Sequence, residues 1–284
     1  MKSYIKIHNS PRSKIFPKEF GLEVIDFVFN LPLIKTIGFL PYKIIKERKK
    51  LIPTKSKIFI EYDGNIFLNF WIIFFCLNKK NKLVVDCHNS SLENQKGHFS
   101  RYFLNLLYLI ILNRILNIDV LVHNNKIKPL FIKYEIVETP YPKFNFNNVI
   151  KKTIDVLFLC SLNSDEPIET ILKICSFLKS HNLKAKITGD YNKVKDLHSS
   201  EFFIIPYLSY EQYIDHIRQS KVTVSLTTRN KTLLFAPRES ISLNVDCFVN
   251  DSQVNREFYC NKVSYIDIKN FELTCKELLK KCLK

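Results

Sequence analysis

Residues 222–251 constrain the fold more tightly than any other stretch of the chain. Apolar and polar residues alternate over Val222–Leu226, which predicts a strand. A polar loop follows, and Pro237 marks the first turn of a short helix. Asn244 suits the left-handed turn that ends such a helix, and the apolar run Val245–Val249 predicts the next strand. A strand, loop, helix and strand in this order is the repeating unit of a parallel α/β sheet.

The loop and helix inside this unit carry the polar groups that a ligand site needs. Thr228, Arg229 and Lys231 lie in the loop, and Arg238 and Glu239 open the helix. Parallel α/β sheets bind ligands at the loops that leave the carboxyl ends of their strands. A carboxylate suits the two hydroxyls of a ribose, whereas guanidinium groups and helix N–H groups suit a diphosphate. The stretch therefore predicts a nucleotide site.

The same alternation of apolar strands and amphipathic helices extends over most of the chain. Further strands are predicted at Lys57–Tyr62, Leu83–Val85, Ile118–Val122, Ile154–Cys160 and Lys184–Thr188. Pro142–Lys152 has no periodicity and is the best candidate for a linker. We therefore expect an α/β chain of two Rossmann-like, doubly wound domains that face each other across a cleft. Their expected bounds are residues 1–146 and 147–284.

Two helix starts carry specific capping signals. Ser209 and Gln212 have the spacing of a capping box. Ser164 or Asp165 is expected to cap the helix that begins near Pro167, because Asp and Ser side chains accept hydrogen bonds from the first free N–H groups of a helix.

The first 80 residues are less regular. Met1–Lys18 is expected to be polar and irregular, and Glu19–Leu33 is expected to be helical. Tyr42–Leu51 predicts a short basic helix, which fits either an ordinary surface helix or one that lies on an anionic membrane. An aromatic stripe at helical spacing within Ile66–Leu77 is interpreted as core. Its members are Phe70, Trp71, Phe74 and Phe75.

The chain carries a formal net charge of +16, and the first 57 residues hold 13 Lys and Arg against 4 Asp and Glu. A basic surface of this kind fits a nucleic acid, an anionic membrane, a phosphorylated substrate or simply a solvated lysine-rich face. No aromatic and basic residues interleave as nucleic-acid modules require, so that partner is not expected.

The eight cysteines show no CxxC spacing, which argues against a zinc or redox motif and favours a reducing compartment. No secretory signal is recognisable at the start of the chain. The longest apolar runs, Ile66–Leu77 and Phe103–Leu112, are shorter than the roughly 18–20 residues that cross a bilayer. These features predict a cytoplasmic protein, with peripheral attachment to the cytoplasmic face of the membrane as an open alternative.

An ordered set of short motifs resembles glycosyltransferases of the GT-B fold, family 4-like. In the second half these are Ser161 with Asp165-Glu166-Pro167, then Ile187-Thr188-Gly189-Asp190, Leu226-Thr227-Thr228-Arg229-Asn230, and Glu239 with Ser242-Leu243-Asn244. In the first half, Val84–Asn89 is similar to the Val-Val-Asp-x-His-Asn segment of these enzymes. The likeness covers about residues 57–268.

The resemblance implies a role for particular residues. Glu239 matches the carboxylate that receives the ribose hydroxyls, Arg229 matches a basic residue near the donor, and His88 matches the acceptor-domain histidine that faces the sugar. The remaining donor-side candidates are Thr228, Lys231, Arg238, Ser161 and Gly189. Those on the acceptor side are Asn89, His123 and Asn124.

Two departures from the family pattern concern the donor diphosphate. Lys231 stands where the family carries a second glutamate, and Ser161–Asn163 replaces the usual Arg and Lys after the first strand of the donor domain. Neutralisation of the diphosphate is then expected from Arg229, Lys231 or Arg238. The first domain is also shorter than usual.

The implied activity is a metal-independent, hexosyltransferase-type glycosyltransferase that needs no cofactor and uses a nucleotide-diphosphate-sugar. Its acceptor is expected to be lipid-linked or a precursor of a cell-surface polysaccharide. Two alternatives remain: a catalytically degenerate GT-B binding or partner protein, and a nucleic-acid-binding protein, for which affinity would fall steeply with salt.

Overall fold

The computed structural model describes residues 2–6, 22–26, 46, 49–62, 66–87, 99–122, 131–137, 141–146, 148–163, 165–190, 203–205, 208–230 and 232–283. The chain divides into two compact units, Met1–Pro140 and Tyr141–Lys284. The sequence placed the boundary after residue 146, whereas residues 141–146 group with the second unit in this division. Phe144 packs against a core cluster of the second unit, and Phe146 stacks under the Arg218 guanidinium at 3.7 Å.

The first unit is built on a six-stranded parallel sheet of order β2-β1-β3-β4-β5-β6. Its strands are β1 (Lys2–Lys6), β2 (Glu23–Asp26), β3 (Lys57–Tyr62), β4 (Lys82–Cys87), β5 (Asp119–Val122) and β6 (Tyr134–Ile136). Strands β3 and β4 pair over six residues each, from Lys57 with Lys82 to Tyr62 with Cys87. These central strands are apolar on both sides, as expected for a parallel sheet that is covered on both faces.

Two helices cover one face of this sheet. They are α1 (Ile66–Asn78) and α2 (Phe99–Ile110), and α2 continues into a π-helical turn at Ile111–Ile115. Both contribute buried side chains to the same cluster as β3 and β4, among them Ile72 and Leu109. The part of the chain that the structure describes contains no helix with the length and apolar character to cross a membrane.

The amino-terminal expectations need correction. Lys2–Lys6, within the stretch expected to be irregular, forms β1, and Glu23–Asp26, within the expected helix, forms β2. Both strands are short and gain their hydrogen bonds from distant segments, because β1 pairs with β2 and with β3. A sequence pattern four or five residues long cannot report such pairing. Of the expected basic helix, only Lys46 and the 3₁₀ turn Lys49–Leu51 are described, and the rest lies outside the described residues.

The aromatic stripe of α1 is core only in part, because Trp71 and Phe75 are partly buried and pack against the core cluster of the first unit. Phe70 is 47% exposed and Phe74 42% exposed, whereas Ile72, Ile73 and Cys76 are buried. The helix is apolar nearly all round, so more than one of its faces satisfies the spacing of a buried stripe, and only its contacts with the sheet decide which side chains are buried.

The second unit holds a five-stranded parallel sheet of order β11-β10-β9-β7-β8. Its strands are β7 (Ile154–Phe158), β8 (Ala185–Ile187), β9 (Ser220–Ser225), β10 (Asp246–Asn250) and β11 (Ser264–Ile266). Its helices are α3 (Ile168–Ser180), α4 (Tyr210–Arg218), α5 (Ala236–Ser242), α6 (Gln253–Tyr259) and α7 (Phe271–Cys282).

The strand order of this sheet reverses direction beside β7. The chain runs outward from β7 to β8, returns past β7, and then continues through β9, β10 and β11 on the other side. The loops that leave β7 and β9 therefore diverge at their carboxyl ends. Such a topological switch point is where open α/β sheets bind their ligands.

Local signals in the second unit were predicted well. Ser209 and Gln212 form a reciprocal capping box at the start of α4. Pro237 lies in the first turn of α5, and Asn244 takes a left-handed φ of 55° just after that helix. These three predictions are confirmed, because each rests on residues that are close in sequence.

We expect Asn81 to stabilise the first unit through its buried amide. It accepts a hydrogen bond from Ser56 N at 2.9 Å and donates to the carbonyls of Pro53 at 2.8 Å and Cys76 at 3.0 Å. Asn81→Ala leaves these buried groups unpaired and should lower the free energy of unfolding by about 2–3 kcal/mol in urea titrations followed by circular dichroism. Asn78→Ala, at the exposed end of α1, is the matched control and should change it by less than about 0.5 kcal/mol. Equal losses in the two variants would contradict this role.

Candidate functional site

The loop after β7 and the loop after β9 are joined through Asp165. We call residues 159–167 the β7 loop and residues 226–235 the β9 loop. The backbone carbonyl of Asp165 accepts from Thr228 N at 2.7 Å and from Thr228 Oγ1 at 3.0 Å. Its carboxylate accepts from Thr227 Oγ1 at 3.3 Å and pairs with Arg229 Nε at 3.4 Å. Asp165 therefore does not cap α3, and no side chain that the structure describes caps its first turn. Ser164, the other expected cap, lies outside the described residues.

Arg229 and Thr228, two of the predicted donor-binding residues, lie together at the switch point. The Arg229 side chain is 22% exposed, so part of its guanidinium group faces solvent beside its Asp165 partner. Its backbone N–H donates to Thr227 Oγ1 at 3.2 Å, and Thr227 N donates to Asn250 Oδ1 at 3.2 Å. These bonds fix the start of the β9 loop, residues 227–229, at the carboxyl edge of the sheet.

Ser161, another predicted donor-binding residue, lies in a turn of the β7 loop that presents backbone N–H groups to an anion. Leu162 has a left-handed φ of 57°. The N–H groups of Ser161 and Asn163, on either side of it, both donate to the Glu166 carboxylate at 3.0–3.1 Å. Successive N–H groups that converge in this way form the kind of concavity that binds phosphates and other anions.

Gly189 supports this turn from the end of β8. Its φ is +133°, a conformation that side chains rarely adopt, and a Cβ there would lie 2.6 Å from Leu162 Cγ. Beside it, Thr188 Oγ1 accepts from Cys160 N at 2.9 Å and donates to Cys160 O at 2.9 Å. Gly189 was predicted to let the backbone approach a nucleotide. In the structure it lets the backbone approach the β7 loop, and contact with a ligand stays a prediction.

Glu239 is buried in the first turn of α5, with 1% exposure. Tyr213 of α4 donates to its Oε2 at 2.9 Å, and Oε1 accepts no hydrogen bond from the part of the chain that the structure describes. Burial raises the pKa of Glu239 to about 7, although the hydroxyls of Tyr213 and Tyr210 act in the opposite direction. The carboxyl group is therefore poised between its neutral and charged forms near neutral pH.

The side chain of Arg238, next to Glu239 in sequence, lies in a different environment. It is 2% exposed, and its guanidinium group lies 4.5 Å from the Phe258 ring centroid and 5.1 Å from that of Phe235. This burial among aromatic rings favours a structural role through cation–π attraction. It disfavours the predicted contact with a diphosphate.

The remaining predicted site residues lie outside the described residues. They are His88, Asn89, His123, Asn124 and Lys231. Within the ranges that are described, no group of three or more His, Cys, Asp and Glu side chains is arranged to hold a metal ion. Independence of metal stays a prediction.

Sequence reasoning missed three residues of this site. Tyr213 was not considered, although the capping box fixes the start of α4 and hence the face on which it lies. The sequence offers Asp165, with Ser164, only as a candidate helix cap, and Glu166 only as part of a motif. Their partners are at distant positions, such as Thr228 for Asp165, so spacing alone carries no signal for these contacts.

The two parallel α/β units have the GT-B, Rossmann-like fold, which is the fold of a class of glycosyltransferases. The sequence itself matches no protein-family model. It also matches none of the curated proteins.

Solved structures with this fold include HepE from Anabaena in complex with UDP-glucose, at a TM-score of 0.66 and 10% identity over 100% of this chain and 89% of HepE. A variant of S. aureus TarM with Fondaparinux, alpha-GlcNAc-glycerol and UDP gives a TM-score of 0.63 at 13% identity. That match covers 84% of this chain and 51% of TarM, so the chain spans about half of TarM. At these identities the likeness is one of fold.

We expect Glu239 to make stability depend on pH. Its folded-state pKa of about 7 exceeds the ordinary value of 4.5, so the folded state keeps a proton that the unfolded state has already lost. The neutral form of Glu239 therefore adds about 3 kcal/mol to the free energy of unfolding below about pH 4.5. This contribution falls as the pH rises and is lost above about pH 7.

Urea unfolding at pH 5 and pH 8 tests this expectation. Glu239→Gln should be more stable than the wild type at pH 8 and similar to it at pH 5, because the amide has no charge to bury. Glu211→Gln, exposed on α4, should keep the wild-type dependence. If Glu239→Gln and the wild type lose the same stability between the two pH values, the burial of this charge is not the cause.

Proposed function

We propose that the protein is a glycosyltransferase that uses a nucleotide-diphosphate-sugar. The observation that carries this proposal is the anion-binding turn of the β7 loop beside Arg229 and Thr228, at the switch point of a sheet with the GT-B fold. The complexes of HepE with UDP-glucose and of TarM with UDP add support, because they belong to proteins of the same fold.

The chemistry of these groups fits a departing nucleoside diphosphate. Negative charge develops on the diphosphate as the bond to the sugar breaks, and N–H groups and a guanidinium fixed in advance stabilise it. In this proposal Ser161 N, Asn163 N and Arg229 supply those donors, and Thr228 adds a hydroxyl. None of these groups needs to change its protonation state, which accords with a metal-independent reaction.

Glu239 is assigned to the ribose in this proposal. Its Oε1 accepts no hydrogen bond from the residues that the structure describes, although the Tyr210 hydroxyl also acts on this carboxylate, and a ribose hydroxyl is a suitable donor. Tyr213 holds the other oxygen, which orients the carboxylate. Because Glu239 is 1% exposed, a ribose reaches Oε1 only after the side chains that cover it move, and Tyr213 and Tyr210 of α4 are among those that act on it.

The first unit is proposed to hold the acceptor. His88 would act there as acid or base, with Asn89, His123 and Asn124 nearby, since all four residues follow strands of that unit. The transferred group is proposed to be a hexose. The acceptor is proposed to be lipid-linked or a precursor of a cell-surface polysaccharide.

A surface of the first unit supports attachment to an anionic membrane. Phe70, Phe74 and Leu77 of α1 are 36–47% exposed, and Phe103, Leu104 and Leu107 of α2 are 44–52% exposed. Both helices cover the same face of the sheet, so both apolar rows lie on the side of the unit that is away from its core. We call these six residues the outer apolar face.

Basic residues lie at the ends of the same helices. Lys80 follows α1, Lys82 opens β4 with 72% of its side chain exposed, and Arg114 lies in the π-helical turn after α2. Apolar side chains that enter the headgroup region, flanked by Lys and Arg, are typical of proteins that lie on anionic bilayers. A membrane position would also bring the protein to a lipid-linked acceptor.

A second function is favoured by the placement of Glu166. Its carboxylate fills the anion-binding turn, so a GT-B protein that binds a partner and no longer transfers sugar is the alternative. Single-turnover assays with nucleotide-sugars separate the two, because only the enzyme releases a nucleoside diphosphate.

We expect a nucleoside diphosphate to stabilise the protein against heat. A thermal-shift series with UDP, GDP, CDP and ADP at millimolar concentration should raise Tm for at least one of them. Arg229→Ala should lower the affinity for that nucleotide about tenfold or more, since it removes a charged hydrogen-bond donor. Arg256→Ala, which removes another Asp-paired arginine of the second unit, should leave binding unchanged. No Tm increase with any nucleotide would contradict the proposed donor.

We expect the outer apolar face to bind lipid vesicles. The double variant Phe70→Asp/Phe74→Asp should reduce sedimentation with vesicles of 30% anionic phospholipid about tenfold or more, because each exposed ring contributes about 1.5–3 kcal/mol when buried. Val149→Asp, fully exposed on the second unit, is the control and should sediment like the wild type. Equal loss in the control, or no binding by the wild type, would contradict membrane attachment.

A further inference from the structure

The turn of the β7 loop is already filled by a carboxylate from the same chain. Glu166 Oε1 accepts from Ser161 N at 3.0 Å and from Ser161 Oγ at 3.2 Å, and Oε2 accepts from Ser161 N at 3.1 Å and from Asn163 N at 3.0 Å. Both oxygens are thus engaged by donors that a phosphate group would use. Hydrogen bonds to an ionised acceptor are stronger than neutral ones, so the carboxylate is a real competitor for this position.

Glu166 is not the only support of the turn. Thr188 of the β8 end holds Cys160 through both its N–H and its carbonyl, and Gly189 packs against Leu162 from behind. The conformation that presents Ser161 N and Asn163 N is therefore supported from the side away from Glu166. With this second support the turn can accept a different anion in the same place.

The charges around the turn oppose a second anion while Glu166 stays. Asp165 and Glu166 bring two carboxylates to the switch point, and Arg229 is paired with Asp165. Among the described residues in these contacts, acidic groups outnumber basic ones by one. A diphosphate adds further negative charge, and like charges a few ångströms apart repel each other strongly where water is partly excluded.

We propose that Glu166 is an intramolecular competitor of the donor diphosphate and sets the affinity of the site for its nucleotide. This rests on the proposed function and adds a specificity-determining residue to it. The site is open only in the fraction of molecules whose Glu166 side chain has rotated out of the turn. The apparent dissociation constant is raised by the inverse of that fraction.

Isothermal titration calorimetry with three probes tests the proposal: UDP, uridine and inorganic pyrophosphate. Glu166→Ala should bind UDP and pyrophosphate about tenfold or more tightly than the wild type, while its affinity for uridine should not change. The affinity of Glu166→Gln for UDP and pyrophosphate should lie between those of the wild type and Glu166→Ala, because its amide can stay in the turn without a charge. Glu169→Ala, exposed in the first turn of α3, removes the same charge three residues further along the chain and should bind like the wild type.

The outcomes separate this inference from the proposed function. If UDP binds the wild type as tightly as it binds Glu166→Ala, or more tightly, Glu166 is not a competitor even though the donor site stands. If Glu166→Ala binds pyrophosphate more tightly than the wild type does, while neither protein binds UDP or uridine, Glu166 competes with anions for the turn. The proposal that the site binds a nucleotide is then wrong. If Glu169→Ala gains as much affinity for UDP and pyrophosphate as Glu166→Ala does, the inference is wrong. The loss of one negative charge from this region then explains both gains. Unchanged urea unfolding of Glu166→Ala shows that the turn has kept its support.

Discussion

The interaction on which the second unit depends is the one between Asp165 and the β9 loop. A single residue of the β7 loop accepts hydrogen bonds from Thr227 and Thr228 and pairs with Arg229. The sheet order brings β7 and β9 side by side, but their loops leave toward opposite sides of the switch point. Asp165 joins them there. The positions of the Arg229 guanidinium and of the N–H groups in the β7 loop relative to each other follow from this one connection.

Adjacent residues in this site face different partners. Asp165 turns to the β9 loop, whereas Glu166 turns back into the β7 loop. Arg238 lies among aromatic rings near α6, whereas Glu239 lies against Tyr213 of α4. Side chains at neighbouring positions on a turn or a helix point in different directions, so a motif written as a string of letters combines groups that serve separate purposes.

The two parallel sheets and most of their helices could be predicted from the local sequence pattern. Apolar runs such as those of β4 and β7 indicate strands that are buried on both faces, and their alternation with helices indicates parallel order. The short strands β1 and β2 could not be predicted, because their stability comes from pairing with segments far along the chain. The exposed rings of α1 could not be predicted either, since an all-apolar helix gives no sign of which face meets the sheet.

Residue order alone was enough to indicate a parallel α/β chain, a loop with Thr228 and Arg229 at a strand end, and a helix with Pro237 in its first turn, because each rests on neighbours in sequence. The burial of Glu239 with its pKa near 7, the placement of Arg238 among rings and the entry of Glu166 into the anion-binding turn emerged from packing between distant elements. Electrostatic environment depends on what surrounds a group in three dimensions, and those surroundings come from parts of the chain that the local pattern does not contain.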